Sequence, residues 1–392
     1  MASTSKRTKI SANSHQQPLS VDDLSDYEVD LLSAALHKLC SARAVDNIKL
    51  IPCKLNSCNA GLINGAGIRF SEAFCDLQSF DKGFFMGNIF RKGLDIGVDF
   101  LDGKIPESKQ EKMLLEKLVN FIKSEEMVEV EFENKVDRTV YLANHLFGKL
   151  ALSWWYTIDK SSKIRQRGSK CSCSNKSCTL TGKYGDTSIG NPQVWHGSVD
   201  LIIGSDIVIE NLEEEPVYPD GLSVKAQNDA ITRNSKLVAE TIVMSFLQKK
   251  NHPEMSSFLI PCLGIGENVL LIMFYDSEHD VFLESSVIPL FSELRKNRFS
   301  MEAILVSWLA VNYKFLSTGL TNDMLSYTAG FCKQAKSSIA IYENQLTFQN
   351  VGLAEVVDID LPQEWDYNAY LLEKNDKIDE MNRKRRFKDC KN

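Results

Sequence analysis

The sequence predicts an α/β fold, a central mixed sheet flanked by helices, with helical additions at the N- and C-terminal ends. Three observations carry this expectation. The apolar period alternates between two and about 3.6 along the chain, which separates strands from helices. Between residues 135 and 275 these changes give the order helix, three strands, helix, two strands. One helix of that series is apolar nearly all round, as expected of a helix buried against a sheet.

The elements follow in chain order. Residues 1–24 are rich in Ser, Lys and Gln and are expected to be disordered. Residues 25–130 read as a mostly helical N-terminal region that opens with Leu31, Leu32, Ala35 and Leu39 at helical spacing. It passes through glycine-punctuated pieces to a helix over Ser108–Ser124, with Leu114, Leu115, Leu118, Val119 and Ile122 on one face. Val128, Val130 and Phe132 then alternate with Glu129, Glu131 and Glu133, a half-buried strand with an acidic face.

The core is expected over residues 131–345. Val136, Val140, Ala143, Phe147, Leu150 and Trp154 call for one long helix from 135 to 157, which Trp154, Trp155 and Tyr156 would close. A polar loop spans 159–193. Strands Val199–Ile203 and Asp206–Glu210 flank Gly204-Ser205, a tight hairpin signal. After an acidic insertion comes a short strand, Leu222–Ala226, and then the apolar helix over 230–249. Strands Phe258–Leu263 and Val269–Tyr275 follow, with helices over 299–316 and 322–335. Residues 346–392 form a polar tail with a basic end.

Composition limits the function classes. With 392 residues, 43% of them hydrophobic, the chain can bury a large core, and a net charge of −7 argues against coating nucleic acid through bulk charge. Ten cysteines dispersed over this length do not resemble a small disulfide scaffold. The first twenty residues lack the apolar core of a signal peptide. No stretch reaches the roughly 18 apolar residues that a bilayer demands. An intracellular protein, cytoplasmic or nuclear, with reduced thiols and no membrane partner is the expectation. No phosphate-binding GxxxxGK[ST], GxSxG or HExxH motif occurs, which lowers the weight of the chemistries they carry. Gly264-x-Gly266 lacks a third glycine and reads as a turn.

The segment Trp195–Asp200 marks the expected functional centre. Gly197 and Ser198 precede Asp200, three apolar residues follow it, and it opens one arm of the hairpin. With the helix and strand order, this resembles the PD-(D/E)XK nuclease-like superfamily, whose members have a restriction-endonuclease-like core. The resemblance covers about a third of the chain. It implies an Asp at the start of one strand and an acid-x-Lys on the next, together holding Mg²⁺. Two alignments compete. One reads Glu210-Asn211-Leu212, with leucine where the lysine belongs; the other reads Ser223-Val224-Lys225, with serine where the acid belongs. In the second, Glu240 on the apolar helix would supply the acid, because a carboxylate there must be paired, protonated or metal-bound. Its plainer partner is Lys236, at helical spacing. Asp137 or Glu133 could add an acid from the preceding helix. The resemblance thus implies Asp200, Glu210 and Glu240 as Mg²⁺ ligands, with Lys225 orienting water. His196 could shuttle a proton near that ion.

Cys171, Cys173 and Cys178 form a C-x-C-x₄-C cluster in the polar loop. They could hold Zn²⁺, which needs four ligands; the fourth is not evident, although His196 is near in sequence. Cys53 and Cys58 are a weaker pair. Lys163, Arg165, Arg167 and Lys170 make the same loop basic and are candidate phosphate contacts. Arg383–Arg386 and Lys388 form a second basic block, readable as a nuclear-import signal or as a solvated tail. Two function classes follow. One is Mg²⁺-dependent phosphodiester hydrolysis of nucleic acid, or a degenerate derivative that binds nucleic acid. The other is a non-enzymatic interaction or scaffold protein that uses the cysteine loop; its protein partners cannot be read from the sequence.

Overall fold

The computed structural model describes residues 19–351 except 42, 45, 62–65, 125–131, 133, 154, 162–170, 174, 176, 213–233 and 296. The acidic-faced strand at 128–133 (all but Phe132), the strand Leu222–Ala226 with Lys225, the loop cations Lys163, Arg165, Arg167 and Lys170, and most of both tails lie outside the described residues.

Order begins earlier than the composition suggests. Ser20 caps a 3₁₀ turn at Val21–Asp23, and Leu24 is buried. Helix α1 (Asp26–Cys40) starts in a capping box of Ser25 and Glu28, which satisfies two backbone donors that helix formation would orphan. The N-terminal region then contributes more than helices. Strand β1 (Lys49–Cys58) and strand β2 (Cys75–Ser79) form an antiparallel pair, and helices α2 (Arg91–Leu101) and α3 (Lys109–Lys123) follow. The face of α3 that carries Leu114, Leu115, Leu118, Val119 and Ile122 is buried as its spacing requires.

Helix α4 (Lys135–Leu142) runs into a π-helical turn at Ala143–Phe147 and ends at Leu150, well short of residue 157. A distant residue stops it. Asn312 donates from Nδ2 to the Leu150 carbonyl at 2.9 Å and accepts the Leu152 N–H at 2.8 Å, capping groups the helix end leaves open. Tyr156 therefore opens strand β3 (Tyr156–Asp159) rather than closing a helix. Strand β4 (Lys183–Gly185) lies parallel to β3. Strands β5 (Ser188–Gly190) and β6 (His196–Ser198) belong to a small separate sheet.

The expected hairpin is present as β7 (Leu201–Ile203) and β8 (Ile207–Asn211). Helix α5 (Ser235–Asn251) follows, then strands β9 (Leu259–Ile265), β10 (Val269–Asp276) and β11 (Val281–Ser285), helix α6 (Met301–Val311) and β12 (Thr347–Phe348). The helix expected at 322–335 is only a 3₁₀ turn at Met324–Ser326 and one α-turn at Phe331–Gln334.

The main sheet has the order β2-β1-β11-β10-β9-β8-β7-β3-β4, with short strands Phe84–Phe85 and Ile288–Pro289 attached to β1 and β10. It is mixed: β3, β7 and β8 run antiparallel in succession, and β9 returns parallel to β8 through α5. Helix α5 is buried on every side because β9 and β10 cover one face and the helix Ile339–Asn344 covers another. Each fully buried Leu, Ile or Phe side chain stabilises by about 1.5–3 kcal/mol, so this helix anchors the core. Gly264 is a β9 residue rather than part of a turn, and Gly266 makes the turn by donating to the Val269 carbonyl at 2.9 Å. Among the described residues no helix is long and apolar enough to cross a membrane.

Candidate functional site

The hairpin register pairs Leu201 with Ile209 and so sets Asp200 against Glu210 where β7 begins and β8 ends. The Asp200 N–H donates to Glu210 Oε2 at 3.1 Å. One residue on, the Asn211 N–H donates to Asp200 Oδ2 at 3.0 Å. These reciprocal bonds fix both carboxylates in one orientation.

Helix α5 brings the remaining groups. Asn234 caps it by accepting the Leu237 N–H at 2.9 Å, which directs the first turns onto the hairpin end. Lys236 and Glu240, four residues apart, share a helix face. The Lys236 ammonium makes a short ion pair with Glu210 Oε1 and lies 3.8 Å from Glu240 Oε1. Glu210 is 2% exposed and Glu240 0%. Neither Glu240 oxygen has a hydrogen-bond partner among the described residues.

Three carboxylates thus face one ammonium, two of them out of water. Burial, and then the charge of Asp200, pushes the Glu210 carboxyl up to about 7 against the pull of Lys236. Burial, and then Glu210, holds the Glu240 carboxyl well above the ordinary carboxylate range. Burial works against the Lys236 ammonium, but Glu240, Glu210 and Asp200 outweigh it and push its pKa up. The cluster carries surplus negative charge in a low-dielectric pocket, where proton or cation uptake relieves it.

The structure brings together Asp200, Glu210 and Glu240, while Lys225 lies outside the described residues. The cation beside the acids is Lys236, which sequence reasoning treated only as a helical partner of Glu240. A signal for it existed. A lysine in the first turn of a helix opposes the helix dipole, and the first turn of α5 has no acid to offset it. Leu212 is buried at the position where an acid-x-Lys motif would place its lysine. Asp137 takes part in its own helix cap: it accepts from Asn134 Nδ2 at 2.8 Å, and its N–H donates to Asn134 Oδ1.

Trp195 anchors the core. It is 0% exposed, stands edge-on to Tyr342, and donates from Nε1 to Asn59 Oδ1 at 3.0 Å. Of the Trp195–Asp200 segment, Asp200 is the residue that joins the carboxylate cluster. The His196 ring is held by the Val194 carbonyl, 2.9 Å from Nδ1.

A second cluster stands on α4 and the loop that follows. His145 and Cys171, Cys173 and Cys178 place their ligand atoms within 4.8 Å of one another, a set that could hold a metal ion. Among the described residues this group, and not the three carboxylates, is gathered that tightly. The fourth member of the cluster is therefore His145 rather than His196. It is carried by the π-helical turn, which rotates the residue off the regular helical path. Sequence proximity favoured His196, whereas the contact spans the whole 145–178 interval. His145 stacks on Tyr141 with ring centroids 4.4 Å apart, and its Nε2 lies 3.6 Å from Cys178 Sγ. Burial, with the neighbouring Cys173 and Cys178 among the smaller contributions, pushes the Cys171 thiol up to about 12 without a metal. A soft cation reverses that preference by binding the thiolates directly.

Compared with known proteins, the chain matches no protein-family model, no curated protein and no solved structure.

Proposed function

We propose that this chain is a PD-(D/E)XK-like phosphodiester hydrolase acting on nucleic acid, with its catalytic lysine relocated to helix α5. One observation carries the reading. Asp200, Glu210 and Lys236 meet where three antiparallel strands adjacent in the sheet, a helix and a parallel strand pack together. Asp200 at the start of one strand and Glu210 at the end of the next supply the two family acids, and Lys236 replaces the motif lysine across space.

The three carboxylates offer the hard oxygen donors that a divalent ion takes, and an ion would have to draw them closer than they stand. Oxygen ligands are what Mg²⁺ takes, and the Glu240 oxygens are buried without hydrogen bonds among the described residues. Asp200, Glu210 and Glu240 would hold the ion, which would polarise the phosphate and acidify water. Lys236, drawn away from Glu210, would then hold the attacking water by its ammonium and steady charge on the phosphoryl oxygens. The thiol-rich set is softer and suits Zn²⁺.

The test is cleavage of single- and double-stranded DNA and RNA with Mg²⁺, Mn²⁺ or EDTA. Asp200→Ala, Glu210→Gln and Lys236→Met should each lower the rate by about 10²–10³-fold. Absence of cleavage by the wild-type protein with either metal, together with no Mg²⁺-induced thermal shift, would overturn the reading. Binding without cleavage would point to the degenerate form.

A further inference from the structure

We infer that the His145–Cys171–Cys173–Cys178 group is a closed structural zinc centre that staples the cysteine loop to helix α4 and thereby sets the Asp200–Glu210 pair. The part that concerns Asp200 and Glu210 as catalytic groups rests on the reading above; the metal centre does not.

Four protein ligands fill a tetrahedral zinc shell and leave no position for water or substrate, so the centre is structural rather than catalytic. Its surroundings are built to hold it. The Cys171 N–H donates to the Cys178 carbonyl at 3.3 Å, and the Cys178 N–H donates to the Asn175 carbonyl at 2.9 Å, folding the loop so its thiols converge. Asn144, next to His145 on the π turn, donates to Cys178 Sγ at 3.3 Å and to the Thr179 carbonyl at 3.3 Å. Its Oδ1 accepts from Tyr156 on β3 at 2.8 Å and from the Thr181 N–H at 3.2 Å. A sulfur that accepts an amide N–H while sharing a metal is a usual outer-shell arrangement, because it lowers the charge on the thiolate.

The route to the carboxylates runs along α4. Ser172, between two ligands, donates to the Asp137 carbonyl at 2.7 Å. Two residues further along that helix, Thr139 Oγ1 lies 3.0 Å from Asn211 Nδ2, which also donates to the Lys135 carbonyl at 2.8 Å. The Asn211 N–H in turn holds Asp200. One helix therefore carries a metal ligand at one end and the clamp on the acid-bearing strand at the other. Without metal the loop keeps only these hydrogen bonds, and α4 loses the outer support that four ligand bonds would add.

The experiment uses the full chain, purified without added metal and then loaded with one equivalent of Zn²⁺. Expected are one zinc per chain by elemental analysis and thiolate-to-metal charge-transfer absorption on Co²⁺ exchange. Zinc removal by a chelator should lower Tm by about 5 °C or more. Hydrogen exchange should then speed up at the amides of α4 and at Asn211. His145→Gln and Cys173→Ser should reproduce both effects; Cys332→Ser, remote from the loop, should reproduce neither. Substoichiometric zinc that survives His145→Gln overturns the centre. Stoichiometric zinc whose removal leaves Asn211 exchange unchanged overturns the coupling. Neither result depends on nuclease activity, and a failure of cleavage with intact zinc and exchange effects would count against the catalytic reading alone.

Discussion

Glu240 lies where water cannot reach it, and the neighbouring Lys236 must serve Glu210 as well. The two residues should respond oppositely to removal of charge. In EDTA at pH 8, Glu240→Met deletes a buried carboxylate without hydrogen bonds and should raise the unfolding free energy by about 1–3 kcal/mol. Lys236→Met leaves the acids uncompensated and should lower it by about 3 kcal/mol, the low end for a buried pair because the lysine is partly exposed. Urea denaturation measures both, and equal shifts of the same sign would remove the electrostatic account. The pH dependence follows from the same burial. Glu210 titrates near 7 in the folded chain, above its ordinary value of 4.5, so between those values the folded state binds more protons than the unfolded one. Stability of the metal-free protein should fall as pH rises from about 5 to 8, with Glu240 acting in the same direction. Glu210→Gln should flatten that slope in a pH series of urea melts.

At the scale of elements, the approach of α5 to the sheet depends on one missing side chain. Gly264 on β9 pairs with Glu210 on β8, and a Cβ there would stand 2.7 Å from Leu237 Cδ2 and 2.8 Å from Leu212 Cδ1. Both leucines are buried, so making room for the Cβ means repacking them. Gly264→Ala should push the N-terminal end of α5 outward, cost about 1–3 kcal/mol by overpacking, and weaken the Lys236–Glu210 ion pair; thermal melts and the pH series above would detect both. What the sequence revealed at this scale follows from range. The hairpin around Gly204-Ser205, the amphipathic α3 and the all-apolar α5 are set by neighbours in the chain, and periodicity finds them. The end of α4 at Leu150 is set by Asn312, and the fourth cysteine-cluster ligand is set by a π turn that helical spacing does not encode. The acids were visible because buried charge is rare in an apolar run. The lysine was read only as the helical neighbour of Glu240, because its ion pair with Glu210 reaches across to another element.

For the whole molecule, the place of β1 decides how the chain folds. Residues 49–58 do not alternate cleanly, and Pro52 argues against an interior strand, so this segment is hard to recognise as part of a sheet. It nevertheless lies between β2 and β11. Pro52 is tolerated because its carbonyl accepts from Phe80 at 2.9 Å on the β2 side, where its missing N–H also faces, just before the β2 register begins at Cys53. On the β11 side the register Leu50–Ser285 to Cys53–Phe282 is continuous. The N-terminal region therefore completes the sheet that carries Glu210, and the described residues from 19 to 351 fall within one compact unit. A fragment starting at residue 131 would leave β11 as an open edge and uncover apolar side chains that pair with β1, Phe282 and Leu283 among them. Such a fragment should be insoluble or unfolded by circular dichroism. The intact chain should unfold with coincident fluorescence and far-ultraviolet transitions, since Trp195 packs in the same core as the β1 residues. A soluble, cooperatively folding 131–345 fragment would show instead that β1 is an addition to a self-sufficient core.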